Sequence, residues 1–356
     1  MQRYDFLSVF FVKRKEIPAF LLYFVCFVVS LHHVLPLTSM ERVAIIEHSA
    51  DLPQLPGNNY FHSRELMELC EQTPRHKPYM AVVTTDDGTV VAHLLAIMRY
   101  RNSWFPPYLY THVHIYGENG SSLAHFSLMI EALTTKLQNR TLYIELSNLS
   151  QKLFAYRTMR QNGFFPVRWM SIHNSLHSRT PEERISPKLL KRIDNAQQRG
   201  ITTKLVETDE EFRAFSRLLH RHNWFKPRHY IPHDDFFRGM LTSGRCRIFI
   251  SKIRQTVIGC SVCVYSGSDA YLWYTASLRK SYPILHPNAV TIWETIKHAH
   301  KNGYDHIRFL DVGLPFRKTP YRDFILRYGG KEVSTYRWFR ISIRWVNALA
   351  SWLWRE

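Results

Sequence analysis

The 356-residue sequence predicts a mixed α/β protein built from two similar halves in tandem. A hairpin signal occurs twice, each time followed by a strand, a long amphipathic helix and another strand. Most corresponding elements are offset by roughly 165 residues, a period much longer than that of solenoid repeats. An antiparallel meander that continues into βαβ-type connections is typical of a mixed sheet. The chain is also long enough for two domains of ordinary size.

The first half contains an amphipathic helix, a hairpin and three further strands. The stretch "FHSRELMELCEQ" predicts the helix, and "YMAVVTTDDGTVVAHLLAIMRY" predicts the hairpin because Asp86, Asp87 and Gly88 separate two apolar runs. The strand "YLYTHVHIY", the helix "SLAHFSLMIEALTTKLQ" and the strand "TLYIELS" follow. A helix that closes at "RQNGF" and the strand "FPVRWMSIHNSL" complete this half.

The second half repeats this order. Helices around "DEEFRAFSRLLHRH" and "HDDFFRGMLTS" precede the hairpin "RCRIFISKIRQTVIGCSVCVY" and the strand "AYLWYTAS". In the helix of "HPNAVTIWETIKHAHKNGYDHIRFLDVG" we expect Asn288 to be the N-cap and Gly303 to mark the C-terminal end. The strand "HIRFLD" then ends on the carboxylate of Asp311, before the helix "YRDFILRYG" and the strand "EVSTYRWF".

The elements divide the chain into five segments. In chain order they are an apolar segment at 1–39, a first domain at 40–180, a polar linker with a basic helix at 181–207, a second domain at 208–340 and an aromatic, basic helix at 341–356. The first segment contains "IPAFLLYFVCFVVSL", which is shorter than the roughly 20 residues of a typical membrane span. Three interpretations stay open: a tilted membrane anchor, residues upstream of a true start at Met40, or a cleaved signal peptide.

Charge and cysteine usage limit the partners and the compartment. The net charge of +18 and the pI near 9.8 favour anionic partners, such as nucleic acid, phosphorylated substrates or an acidic membrane surface. Five cysteines in a chain of this length form no disulfide framework. We therefore expect a cytoplasmic protein, with association with the inner membrane as an alternative.

The sequence predicts no metal site. Cys260 and Cys263 form a C-x-x-C inside a strand without a second pair, so we interpret them as core thiols. His112 and His114 share one strand face, and we interpret them as surface histidines, like the four histidines of "HRHNWFKPRHYIPH". The chain also lacks a Walker loop, H-E-x-x-H, G-x-S-x-G and a Rossmann glycine fingerprint.

Three stretches of the second half occur in series: "LLKRIDNAQQRGI", "LWYTAS" followed by "HPNAVTIWETIKHAHKNGYDHIRFLDVGL", and "PYRDFILRYGGKEV". Together they resemble the FemAB family of acyl and aminoacyl transferases, and the similarity in layout covers roughly residues 41–340. The resemblance implies two GNAT-like domains in tandem, related by internal duplication. It also implies an N-acyltransferase that moves an acetyl or aminoacyl group onto an amine.

Two departures from the family pattern bear on the acyl donor. Aligned on Gly329 and Gly330, the family's Phe-Lys pair is replaced by Phe324 and Ile325, which argues against an aminoacyl-tRNA donor. The Gly-rich turn of coenzyme-A-using members is absent from "SLRKSYPILHPNAV". The resemblance leaves acetyl-CoA or another acyl-CoA as the expected cofactor, and aminoacyl-tRNA as an alternative partner.

The resemblance and the positions of charged residues together give eight candidate site residues. The expected catalytic residues are Asp311, Tyr321 and Arg322, and the expected substrate-binding residues are Tyr274, His286, Asn288, Arg317 and Lys318. Asp311 is either a base or orienting carboxylate, or a turn-forming aspartate before Val-Gly.

The expected acceptor is an amine on an anionic envelope precursor, lipid or sugar nucleotide, because Arg317 and Lys318 follow the Asp311 strand. Two alternatives remain. One is an aminoacyl-tRNA-dependent enzyme that forms peptidoglycan bridges, which shares the fold. The other is a catalytically silent binding module on the same scaffold.

The C-terminal stretch "RWFRISIRWVNALASWLWRE" combines tryptophan with arginine. This composition is typical of an interfacial helix on an anionic bilayer. The alternative is a final helix that packs its apolar stripe on the second domain.

Overall fold

The computed structural model describes residues 41–100, 111–147, 154–223, 230–310, 312–316 and 319–354. The strands are β1 (Arg42–Ile46), β2 (His76–Thr84), β3 (Val90–Tyr100), β4 (Thr111–Tyr116), β5 (Tyr143–Ser147), β6 (Phe165–Ser175), β7 (Ile201–Leu205), β8 (Cys246–Ile253), β9 (Thr256–Ser266), β10 (Asp269–Ser277), β11 (His306–Phe309) and β12 (Lys331–Ile341). The α-helices are α1 (Arg64–Gln72), α2 (Leu123–Leu137), α3 (Tyr156–Gln161), α4 (Pro181–Arg184), α5 (Pro187–Gln198), α6 (Asp209–Asn223), α7 (Asp234–Thr242), α8 (Pro287–Lys301), α9 (Pro320–Leu326) and α10 (Arg344–Leu353).

These twelve strands form one mixed sheet in the order β1-β2-β3-β4-β5-β12-β6-β11-β10-β9-β8-β7. The order of the first five strands recurs in β7 to β11 when the sheet is read from its other edge, and in each half the fourth and fifth strands are parallel. The last strand of each half pairs with the fifth strand of the other half. The mixed fold and the duplication are therefore confirmed, but the two halves share one sheet instead of forming two.

Helices cover both faces of this sheet. On one face, α1, α6 and α7 pack on strands of both halves in a common apolar core that contains Phe61 and Phe215. On the other face, α2 covers the first half around Leu133, and α5 and α8 cover the second half around Trp293. Residues 42–356 accordingly form one compact unit, and the predicted boundaries at 180 and 208 stay predictions.

The helix that follows β10 begins earlier than predicted. α8 starts at Pro287 with His286 as its N-cap, so the prediction of Asn288 as N-cap is wrong. Pro287 suits the first helical position because that position needs no N–H and has a φ near that of proline. The C-terminal end is confirmed, since Gly303 follows the C-cap Asn302 with a φ of 75°. β11 ends at Phe309, before the residues expected to close it.

Several predictions fall outside the described ranges. They concern the apolar segment at 1–39, the carboxylate of Asp311 and the cations Arg317 and Lys318. Within the described ranges, none of the helices has the length and apolar character that crossing a membrane requires.

Two glycines allow close approach between elements of the second half. A Cβ at Gly259 on β9 would clash with Thr291 Oγ1 and would lie 3.1 Å from the Pro287 carbonyl oxygen, both near the start of α8. Gly329 has a φ of 90°, and a Cβ there would lie 2.5 Å from the Arg184 carbonyl oxygen. The first contact fixes the start of α8 on the sheet, and the second fixes the turn between α9 and β12.

His62 is a buried histidine whose hydrogen bonds fix its neutral form. Its Nδ1 accepts from the Leu95 backbone N–H at 3.0 Å, so Nε2 carries the proton and donates to the Tyr116 carbonyl oxygen at 2.8 Å. Burial lowers the pKa of His62 to about 3. Protonation of Nδ1 would remove the acceptor for Leu95 and place a charge in the core.

We expect stability to fall as the pH drops from about 6.5 toward 3. The pKa of His62 is lower in the folded protein than in the unfolded chain, so the unfolded chain binds one more proton in this window. One such histidine contributes at most about 1.4 kcal/mol per pH unit. In denaturant unfolding between about pH 4.5 and 7.5, His62→Gln should weaken this dependence. His48→Gln, at an exposed position, should keep the native slope; a native slope in His62→Gln would contradict the assignment.

Candidate functional site

Two neighbouring strands of the second half separate. β10 and β11 pair in parallel from Asp269 with His306 to Leu272 with Phe309, but β10 continues to Ser277. A β-bulge interrupts its pairing with β9 after Leu272 and bends β10 at this point. In the ranges that the structure describes, no strand pairs with this edge of β10 beyond Leu272.

The first half lacks this separation. There the parallel pairing of β4 with β5 extends to Tyr116, the last residue of β4, which lies opposite Ser147. The duplicated halves therefore differ in how far their parallel pairing extends, and in the second half the described part of β10 continues beyond its pairing with β11. We place the candidate site at the gap in the second half.

The start of α8 lies beside this gap and lines two cavities of about 510 Å³ and about 210 Å³. Arg279, Asn288 and Phe324 line both cavities, and we call the two together the basic cleft. No aspartate or glutamate is found among the described residues that line it. Its cationic lining residues are Arg192, Arg221, Arg279, Lys280 and Arg327. The basic cleft is therefore suited to an anionic ligand.

The N-terminus of α8 adds to the positive potential. The aligned peptide dipoles of this 15-residue helix place partial positive charge at its start. His286 precedes the helix with a left-handed φ of 43°. Burial and the charges of Arg192 and Arg199 lower the pKa of His286. The imidazole is therefore neutral near pH 7, and the attraction for a phosphate group at this point comes from the N-terminus of α8.

Three predicted site residues meet in the basic cleft. His286 and Asn288 line the smaller cavity, and Asn288 and Tyr321 line the larger one. Thr319 caps α9 by accepting from the Arg322 backbone N–H at 3.3 Å. This cap fixes the start of the short helix that carries Tyr321 toward the cleft.

Two other predicted residues lie elsewhere. Arg322 is buried, with its Nε 3.2 Å from Glu332 Oε1, and it donates to the Leu314 carbonyl oxygen at 3.2 Å. Tyr274 packs against Phe237 in the core that both halves share, and burial raises its pKa. Neither is among the described residues that line the basic cleft, and their functional roles stay predictions.

A buried polar cluster at the junction of the two halves was not predicted as a site. His114 Nε2 lies 3.0 Å from Ser147 Oγ, and its Nδ1 lies 3.8 Å from Glu145 Oε2. Arg337 donates to Glu145 Oε1 at 3.0 Å and to the carbonyl oxygen of Leu310 at 3.2 Å. The second bond connects the cluster to the residue that directly follows β11.

The imidazole of His114 is neutral in this cluster. Burial and the charges of Arg99 and Arg337 lower its pKa well below the usual value. The neutral imidazole has an electron pair that can accept a proton, but the lowered pKa makes it a weaker base than an ordinary histidine. The interpretation of His112 and His114 as surface histidines is therefore wrong, because both are buried. In the sequence, the alternating polar residues of "THVHIY" and "TLYIELS" could have indicated this buried polar cluster.

Cys260 and Cys263 are buried free thiols, as predicted. Burial raises the pKa of each thiol to about 12, so neither is a thiolate at neutral pH. Across the described residues, no group of three or more His, Cys, Asp or Glu side chains is arranged to hold a metal ion.

Comparisons with known proteins agree with this architecture. Residues 187–318 match the family described as Acetyltransferase (GNAT) domain. The fold is similar to that of FemX, with a TM-score of 0.57 and 12% identity over 83% of this chain and 95% of that one. It is also similar to L-PGS from Bacillus licheniformis, with a TM-score of 0.54 and 10% identity over 85% of this chain and 100% of that one.

A third similar structure is the C-terminal domain of a putative lysylphosphatidylglycerol synthetase from Agrobacterium fabrum. Its TM-score is 0.50 and its identity 10%, over 82% of this chain and 91% of that one. No curated protein matches the chain in sequence. At these identities the solved structures show the fold alone, whereas the matched domain shows the class of enzyme.

The fold and the matched domain together define a GNAT-fold acyltransferase with two GNAT-like domains. More narrowly, its fold is similar to the folds of FemX and of L-PGS from Bacillus licheniformis.

Proposed function

We propose that this protein transfers an acyl group from a phosphate-bearing donor to an amine of an anionic acceptor. The observation that carries the proposal is the basic cleft, with cations and no described acidic residue, at the start of α8 and beside the gap between β10 and β11. Phosphates of the donor would bind Arg279 and Lys280. The acyl carbonyl would then meet backbone N–H groups of β10 at its unpaired edge, which stabilise a developing oxyanion.

We infer that the donor is an acyl-CoA. The loop before α8 lacks the glycines whose backbone N–H groups hold phosphates, but its cationic side chains, Arg279 and Lys280, can bind phosphates in their place. Ile325 occupies the place of the FemAB lysine in the alignment on Gly329 and Gly330, and it is fully buried. A lysine ammonium at that place would be in the core, so the local structure supports a donor other than aminoacyl-tRNA.

The proposed reaction needs one proton acceptor. The amine nitrogen attacks the thioester carbon, the C–S bond breaks, and coenzyme A leaves as a thiolate that takes a proton from the Tyr321 hydroxyl or from water. The proton of the amine goes to a base, for which Asp311 is the first candidate; the second is the buried His114, which is not among the described residues that line the basic cleft. Arg317 and Lys318 are proposed to hold the anionic part of the acceptor.

The acceptor is proposed to be an envelope lipid or precursor that carries phosphate. The name of the Agrobacterium protein denotes a lipid product, lysylphosphatidylglycerol. The net charge of +18 suits an anionic acceptor of this kind. On this proposal the enzyme works at the cytoplasmic side of the inner membrane.

Thermal unfolding with candidate donors tests the proposal. A ligand at about 100 times its Kd stabilises the folded state by about 2.7 kcal/mol, which raises the Tm by several degrees. We expect acetyl-CoA and coenzyme A to have this effect and an acceptor-stem RNA minihelix to have none. Stabilisation by the minihelix alone would overturn the choice of donor. Failure of every phosphate-bearing donor would overturn the assignment of the basic cleft.

A further inference from the structure

α10, at Arg344–Leu353, has the opposite polarity from an ordinary surface helix. Its two uncharged polar side chains face the protein: Asn347 accepts from the Ile341 backbone N–H at 2.8 Å and donates to the Gly163 carbonyl oxygen at 2.9 Å. Ser351 accepts from Arg160 at 3.1 Å. A surface helix of a soluble domain normally buries its apolar stripe and exposes its polar one.

The exposed face of α10 is apolar along its length. Trp345 is 72% exposed, Leu349 50%, Trp352 61% and Leu353 63%. Their spacing of three and four residues places them on one side of the helix, and Ala348 completes this outer face. Such a continuous stripe of large apolar side chains marks an interaction surface, since scattered exposed hydrophobics are ordinary but a contiguous patch is not.

The surroundings of the outer face are cationic. The chain contains no aspartate or glutamate from 333 to 355. Arg344 is exposed at the start of α10, and burial together with the charge of Arg344 lowers the pKa of the neighbouring Arg340. Arg160 adds positive charge on the protein-facing side of the helix, where it donates to Ser351. An occupant of this surface therefore combines an apolar part with negative charge.

We propose that the outer face of α10 docks the enzyme on an anionic lipid bilayer. Tryptophan and leucine side chains would enter the interface between headgroups and acyl chains, and the exposed Arg344 would bind a lipid phosphate. A bilayer fits better than a protein partner because the patch joins tryptophans with an arginine in a stretch, 333–355, that contains no acidic residue, the composition of interfacial helices.

The docking surface is connected to the candidate site. The ring of Trp354, which follows α10, lies 6.3 Å from the ring of Phe316, centre to centre. Phe316 is 69% exposed and lies in the segment between β11 and α9, the helix that carries Tyr321. Docking would thus bring the basic cleft to a lipid-borne acceptor; this step rests on the proposed function, whereas binding of the bilayer does not.

Vesicle flotation with the full chain tests the proposal. We expect binding to phosphatidylcholine vesicles that contain about 30% phosphatidylglycerol and weak binding to phosphatidylcholine alone. Trp345→Ser with Trp352→Ser should reduce the partition coefficient more than about tenfold. The matched control, Val91→Ser with Leu241→Ser, replaces two exposed apolar residues elsewhere and should bind like the native protein. Any binding by residues 1–39 is the same in all three proteins.

Quenching by brominated lipids provides a second measurement. Trp345→Phe with Trp352→Phe keeps the apolar surface, so this variant should bind vesicles but lose most of the quenching that the native protein shows. Equal flotation of the serine variant and the native protein would overturn the proposal. The proposal would also be overturned if the native protein does not bind anionic vesicles but forms a dimer that the serine variant does not form. The outer face would then be a protein interface.

Discussion

Replacing Asp311 by asparagine is expected to lower kcat by about 10² to 10⁴ while leaving folding nearly intact. The carboxylate is proposed to take the proton of the attacking amine. Asparagine keeps the size and much of the hydrogen bonding but cannot accept that proton. Steady-state acyl transfer with acetyl-CoA, together with the denaturant midpoint of the same variant, measures both parts of the prediction.

A second variant separates the two candidate bases. His114→Gln removes the neutral imidazole of the buried cluster but keeps a polar side chain beside Ser147 and Glu145. If Asp311 is the base, this variant should retain most of its turnover. Full turnover in Asp311→Asn with loss in His114→Gln would assign the proton to the imidazole. Full turnover in both would leave Asp311 as a turn-forming residue.

Removing two cations of the basic cleft, with Arg279→Ala and Lys280→Ala together, is expected to raise the KM for the acyl donor by about 10² or more. A hydrogen bond from a charged group contributes about 1.5–3 kcal/mol, and two such bonds hold the donor phosphates on our proposal. The effect on kcat should be smaller, because the phosphates are bound equally in the ground state and the transition state. Initial rates over a range of donor concentrations measure both constants.

Lys297→Ala with Lys301→Ala is the matched control. These lysines lie near the other end of α8, so the variant has the same net charge but an intact cleft. Its KM should stay near the native value. An equal rise in both double variants would show that overall charge attracts the donor, and would remove the support for a specific phosphate site.

Local patterns in the sequence determined the turns, the helix ends and the repeated element order of this protein. The hairpin turn at Asp86, Asp87 and Gly88 lies between β2 and β3, and Gly303 ends α8. Both signals work because turn and cap residues act through their own backbone conformation. The duplication was also readable, since the same element order recurs in both halves. His286, Asn288 and Tyr321, three of the site residues expected from the sequence, line the basic cleft, and their functional roles stay predictions.

Tertiary structure alone decided how the halves combine. No local pattern indicates that β6 pairs with β11 and β12 with β5, because strand exchange depends on contacts between residues far apart in the chain. The same long-range pairing buries His114 and brings Arg337 to Glu145, and it defines where the β10 edge lacks a partner strand within the part of the chain that the structure describes. The polarity of α10 was equally undetermined, since an amphipathic pattern shows two faces but not which of them the protein covers.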